Sequence, residues 1–299
     1  MPMSKSGGTL LYASLPNGLP CWVDLVSTDP TAALDFYQQL FGWQYQRADV
    51  VTPDAGASGE TPQASDDGPV DATGDYLLAM RDGIPVGGIS TRPGAASCWV
   101  LHLAAHRLDE TATAAARLGA QVVRRREQLG SLGERLVVRD SGLAEIAFLQ
   151  AGHGWQFEVG RPGSLIWAEL ITNRVRYADH FYEGLFEYET RQFGRRDDLV
   201  VWYVGGDSVL ARVRMLKDEF APQTEPHWLV YFGVDPAVGV DETVAQARAL
   251  GAEVRVDPFD STYGRIAVLR DDAGARFGLI DPSDATQHET AAIYDPYDD

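Results

Sequence analysis

The chain has 299 residues, 45% of them hydrophobic and 23% charged, which is enough core material for two domains of ordinary size. Its formal charge of −18 argues against nucleic acid and anionic membranes as partners, because both need clustered Lys and Arg. No apolar run approaches the ~18–20 residues of a membrane helix, and MPMSKSGGTLLYASLPNG lacks the apolar block of a secretion signal. Two cysteines, Cys21 and Cys98, make no disulfide scaffold, so a reducing, cytoplasmic setting is expected.

The predicted elements repeat along the chain. After an N-terminal extension (1–16), residues 21–43 (CWVDLVSTDPTAALDFYQQLFGW) read as a Trp-led strand, a turn at Asp29 and a helix ending in Phe-Tyr and Leu-Phe. An acidic, Gly- and Pro-rich loop (48–74) follows, expected to be a lid or disordered, and Val86-Gly87-Gly88-Ile89 closes the unit. Residues 98–122 (CWVLHLAAHRLDETATAAARLGAQV) start a second unit, with an Ala-rich helix stopped at Gly119 and a hairpin over 135–150 turning at Asp-Ser-Gly.

A Gly-rich boundary at 151–163 leads to residues 166–188 (IWAELITNRVRYADHFYEGLFEY), which repeat the first pattern. Residues 227–254 repeat the second, with Gly251 as helix stop and Asp-Asp-Ala-Gly as the turn. Each unit is therefore βαβββ, and the class is α+β. The units span 17–95, 96–152, 162–220 and 225–282, giving domains 17–152 and 162–282 before an acidic tail, 283–299.

Trp22-Val-Asp-Leu, Asp29, Phe36-Tyr37, Leu40-Phe41-Gly42-Trp43 and the closing Val-Gly-Gly-Ile resemble the vicinal oxygen chelate superfamily, which includes glyoxalases, bleomycin-resistance proteins and extradiol dioxygenases. The resemblance implies that units pair into curved sheets enclosing cups. It also implies that metal-dependent members take ligands from the first and last strands of each unit. Those positions hold Trp22, Trp167, Val100 and Leu229, then Gly88, Ala147 and Gly278, with the third unit's last position inside VLARVRM. None of the named residues can bind a divalent cation, so no metal or other cofactor is expected. A displaced set of Asp24, His102 and Glu145 is the metal-dependent alternative.

Strand alternation predicts which side chains face the cups. Trp22, Asp24 and Val26 face one way, as do Trp167, Glu169 and Ile171, Val100 and His102, and Leu229 and Tyr231. Arg212 and Arg214 are expected to project into a cup, with Arg191 beside them. The catalytic candidates are Asp24, His102 and Glu169 for proton transfer, and Arg191 and Arg212 for polarising an oxygen. Trp22, Trp167, Tyr231, Arg214 and Glu145 are the substrate-binding candidates. Pairing of neighbouring units would join Asp24 to His102 and Glu169 to Tyr231; pairing of first with fourth would join Asp24 to Tyr231 and His102 to Glu169.

The expected ligand is a small hydrophobic aromatic molecule. The expected function is a metal-independent enzyme acting on an aromatic natural product, such as a polyketide, by acid/base cyclisation, dehydration or hydrolysis. A drug-sequestering protein and a metal-dependent lyase or dioxygenase are the alternatives. Monomer and homodimer both remain open.

Overall fold

A computed structural model describes residues 8–11, 15–48, 76–91, 96–193, 198–216, 224–261 and 263–284. The acidic loop beyond residue 48 and the tail beyond residue 284 lie outside the described residues. The first module comprises β2 (Pro20–Ser27), α1 (Pro30–Phe41), β3 (Gln44–Ala48), β4 (Tyr76–Arg81) and β5 (Ile84–Thr91); β1 (Gly8–Leu11) precedes it. The second comprises β6 (Cys98–Ala104), α2 (Leu108–Arg117), β7 (Gln121–Gln128), β8 (Gly133–Arg139) and β9 (Glu145–Ala151). After β10 (Gln156–Val159) the third follows with β11 (Leu165–Thr172), α3 (Val175–Phe186), β12 (Glu189–Phe193), β13 (Leu199–Val204) and β14 (Asp207–Arg214). The fourth has β15 (His227–Gly233), α4 (Val240–Ala249), β16 (Glu253–Ser261), β17 (Gly264–Arg270) and β18 (Arg276–Asp281).

Local chemistry explains the helix ends. Asp29 accepts the Ala32 N–H at 3.0 Å and Pro30 occupies the first helical turn, so α1 starts where a cap and a fixed φ coincide. It stops at Gly42, whose φ of 72° is left-handed. Gly119 and Gly251 follow α2 and α4 with φ of 92° and 101°, as their placement after the Ala-rich runs predicts.

Modules pair with their sequence neighbours. The first sheet runs β3-β4-β5-β2-β6-β9-β8-β7 and the second β12-β13-β14-β11-β15-β18-β17-β16. Both are joined at the centre by antiparallel first strands, Trp22 lying opposite His102 and Trp167 opposite Tyr231. The second sheet is extended by β10 and β1, which pair antiparallel. Part of the stretch read as an extension is thus a strand, and so is part of the stretch read as a boundary.

The helix-bearing faces of the two sheets share one core. Trp99 of β6 meets Phe232 of β15 with ring centroids 4.9 Å apart, and Phe41 of α1 meets the same ring at 5.3 Å. The repeated Phe-Tyr at the helix ends works across this core. Tyr37 donates to Asp271 at 3.0 Å and Tyr182 to Asp140 at 2.8 Å, while Trp99 and Trp228 donate to the two phenols at 3.1 Å each. Each aspartate also accepts a turn N–H, from Ala144 or Ala275, so one carboxyl both shapes a hairpin and ties α1 or α3 to it. The opposite, cup-side faces carry separate apolar clusters, a small one around Val26, Val100, Val137 and Ala147 and a larger one around Trp167, Ile171, Leu229 and Tyr231. Among the described residues, no helix is long and apolar enough to cross a membrane.

Candidate functional site

First-strand facing follows the alternation rule in all four modules. Val23, Leu25, Leu101, Leu103, Ala168, Leu170, Val230 and Phe232 enter the shared core. Their alternates point into the cups, and the two cups differ in kind.

The first cup is filled by its own charges. Asp24 is 1% exposed; its Oδ1 accepts Tyr76 O–H at 2.6 Å and Trp22 N–H at 2.8 Å. Arg135 of β8, itself 3% exposed, reaches Oδ2 of Asp24 through one terminal nitrogen and Glu127 of β7 through the other. The Arg135 guanidinium also lies 5.2 Å from the centre of the Tyr76 ring. Burial lowers Arg135 to about 9, so it remains a cation at neutral pH.

His102 stands beside this network without completing an ion pair. Its Nδ1 lies 3.2 Å from the Val100 carbonyl, which places the proton there and leaves the Nε2 lone pair 3.4 Å from Asp24 Oδ2. Burial drives its pKa down to about 3, so the ring is neutral. Glu145 shares this face with Ala147 and adds negative charge near Arg135.

The second cup holds a carboxylate without that cation. Glu169 of β11 accepts Tyr231 O–H at 2.9 Å and Trp167 N–H at 3.2 Å, and burial among apolar groups raises its pKa. Trp167 stacks on Tyr263 at 6.2 Å. Tyr263 is pushed up to about 12 by burial, reinforced by the charge of Glu169. Glu169 is partly exposed, and so are Leu199, Tyr203, Val213, Val256, Tyr263 and Ile266, which pack against the cup's apolar cluster. The face is therefore apolar, aromatic and accessible.

Strand registers make the comparison position by position. Asp24 lies beside Gly88 and Glu169 beside Ala211, in the same place in the two sheets. His102 pairs with Ala147 and Tyr231 with Gly278. Arg135 lies opposite Leu149 and Ile266 opposite Ile280, so isoleucine stands where the first cup has its buried cation. Glu127 faces Arg135 as Phe259 faces Ile266, and counting along β4 and β13 sets Tyr76 against Leu199. The groups that build the Asp24–Arg135–Glu127 network from those strands are all replaced by apolar residues around Glu169.

Two candidate residues face away from the cup. Ala211 lies beside Glu169 and Arg212 beside Leu170, so β14 turns its small residues to the cup and Arg212 to the helix. There Arg212 grips Asp179 of α3 with two bonds of 2.9 Å. Arg214 shares that facing, beside Thr172, and lies 3.2 Å from Asp198. The expectation that both arginines enter the cup is corrected by this register. Arg191 does lie on the cup side, opposite Val201 on the edge strand, with its guanidinium 4.4 Å from the Tyr203 ring centre.

Trp43 and Trp202 are fully buried in the shared core and line neither cup. The residues that sequence reasoning missed are Tyr76, Glu127, Arg135, Tyr263 and Ile266. Their signal was present in the polar–apolar alternation of the closing hairpins, but partners that distant in sequence were not assignable.

The donor sets do not fit a divalent cation. In the first cup both Asp24 oxygens are already engaged and a guanidinium lies against them. In the second, the Glu169 oxygens take a phenol and an indole proton. The closing-strand position is glycine in modules one and four because phenols fill the space. A Cβ at Gly88 would collide with the Tyr76 hydroxyl and Asp24, and one at Gly278 with the Tyr231 ring. Among the described residues no three His, Cys, Asp or Glu side chains converge as a metal site would require.

The model of the glyoxalase-like domain family matches residues 22–142. Anthracycline biosynthesis protein DauV of Streptomyces sp. (strain C5) is 33% identical over 272 residues, covering 90% of this chain and 94% of that protein. Anthracycline biosynthesis protein DnrV of Streptomyces peucetius is 33% identical over 268 residues, covering 88% and 93%. The crystal structure of the 2,3-dioxygenase LapB from Pseudomonas sp. KL28 superposes with a TM-score of 0.58 at 12% identity, over 89% of this chain and 93% of that one, a likeness of fold alone. With its four βαβββ modules and relatives matched along nearly their whole length, the chain belongs to the glyoxalase-like, vicinal oxygen chelate superfamily.

Proposed function

We propose that the second cup binds an aromatic natural-product intermediate and that Glu169 moves a proton on it without a metal ion. The observation that carries this reading is the carboxyl group of Glu169, which is desolvated, unaccompanied by the cation found in the first cup, and set in an accessible aromatic face. A carboxyl raised in this way holds and releases a proton nearer neutral pH than a solvated one. Trp167 and Tyr263 offer ring surfaces to a flat ligand. The names of DauV and DnrV, which tie those relatives to anthracycline biosynthesis, support an aromatic polyketide as the ligand class and antibiotic biosynthesis as the setting.

In this reading Glu169 removes a proton from a carbon or hydroxyl of the bound intermediate, or for hydrolysis from an attacking water, and returns it to the oxygen that takes up the displaced electron pair, which leaves as water in dehydration and as the freed hydroxyl in hydrolysis. Tyr231 orients the carboxylate and Trp167 fixes its other oxygen. The first cup serves as a closed counterpart, its charges cancelled internally.

The test is incubation of the purified protein with aromatic polyketide intermediates, with products followed by mass spectrometry. Turnover that survives a chelator and is lost in Glu169→Gln supports the proposal. Tight binding with no product would favour sequestration, and turnover abolished by chelation would favour metal-dependent chemistry.

A further inference from the structure

The cup-side row through Glu169 can be read directly from the register. Arg191 lies opposite Val201, Val201 opposite Ala211, Ala211 beside Glu169, and Glu169 opposite Leu229. Continuing onto β18, Tyr231 lies beside Gly278, so Arg276 is two residues earlier on the same face, level with Leu229. Arg276 is paired in turn with Arg270, and Arg270 with Glu253. At ~4.8 Å per strand, Arg276 sits roughly 10 Å across the floor from Glu169.

The internal repeat supplies a control. In the first sheet the corresponding cross-strand pair is Arg139 with Glu145, opposite charges. In the second it is Arg270 with Arg276, like charges placed face to face, which by itself destabilises a sheet. Among the described residues one carboxylate serves the area: Glu253 lies 2.6 Å from Arg255 and 3.6 Å from Arg270. Among the described residues the Arg276 side chain makes no hydrogen bond or close ion pair, and the charge of Glu253 reaches it only alongside the opposing Arg255 and Arg270. Its side chain is partly buried, at the end of an apolar cup, and its guanidinium has five donors to offer. His227, on the same face, is partly exposed and driven down to about 4 by desolvation, so it adds no charge at neutral pH.

We infer that Arg276, backed by Arg270, forms an anion subsite at one end of the second cup and takes the carboxylate of an aromatic acid whose ring lies over Glu169. This inference rests on the second cup being the ligand site, and it names the substrate class: a planar aromatic carboxylic acid with its acid group about two strand spacings from the proton-transfer centre. Arg rather than Lys suits the role, since its planar fork can grip both carboxylate oxygens.

The experiment compares anthraquinone-2-carboxylate with its neutral isostere anthraquinone-2-carboxamide, titrated calorimetrically into the full-length protein and into Arg276→Gln and Glu169→Gln. The carboxylate is expected to bind wild type about tenfold tighter than the carboxamide. Arg276→Gln should bring that ratio close to one while leaving carboxamide affinity within about twofold, which also shows that the variant is folded. Glu169→Gln should retain the preference. Equal binding of the two probes by wild type, or a preference that survives Arg276→Gln, overturns the subsite but leaves the cup reading intact. Binding of neither probe overturns both.

Discussion

Asp24 and Glu169 hold the same position in the two cups, yet only Asp24 meets a guanidinium, that of Arg135. Two copies of one sheet have thus reached opposite electrostatic states. One is self-neutralised and buried; the other keeps a desolvated, partly exposed carboxyl group with no cation beside it among the described residues.

Removing the cation should therefore damage the first cup. In Arg135→Met, Asp24 would be left buried without a cation and Glu127 would keep only Arg124, and stability should fall by ~3–5 kcal/mol. Adding Asp24→Asn to that variant should restore part of the loss. Urea denaturation of both variants measures this.

Glu169→Gln should behave in the opposite way. It removes a charge that burial already disfavours, and the amide oxygen can still accept from Tyr231, so the melting temperature should hold or rise. Turnover should drop by ~10²–10⁴-fold, the usual contribution of a positioned acid/base group. Steady-state kinetics beside a thermal melt separates the two effects.

The pH dependence of stability has a defined sign. His102 and His227 are pushed to about 3 and about 4 in the folded chain, below the ordinary 6.5, so the unfolded chain takes up their protons first. Their contribution is intact above pH 6.5 and drains away as pH falls toward 3. Asp140 opposes this: burial raises it to about 6 from 3.8, so it favours the folded state as pH falls through 6. Denaturation at several pH values between 6.5 and 4 should show His102→Gln with a shallower acid-side loss than wild type, by ~1.4 kcal/mol per pH unit for the proton removed.

Tyr37→Phe and Tyr182→Phe should be equivalent lesions. Each leaves an aspartate oxygen and an indole N–H short of one partner inside the shared core, at ~1–3 kcal/mol. A matched fall in both variants, read by chemical denaturation, checks that the two halves are locked by the same device.

The repeat of four units was legible in the sequence because Trp-led strands and glycine stops recur at fixed places. The facing of Trp22, Asp24, Trp167 and Glu169 was legible because strands alternate with period two. Arg212 was not, because alternation separates the two faces of β14 without telling which of them packs on the helix, and the β13–β14 ladder departs from regular register between Trp202 and Tyr203. Arg135 escaped notice because it meets Asp24 across 111 residues of chain, a contact that no local pattern encodes. The pairing of β1 with β10 has the same origin: short strands from two loop-like stretches recognise each other only in the folded protein.

The most direct test is a crystal structure of the protein with an aromatic polyketide intermediate bound. The account predicts ring density between Trp167, Tyr263 and Glu169, with the first cup's Asp24–Arg135 pair intact. Density against Trp22 and Asp24, with Arg135 displaced and the second cup empty, would contradict it.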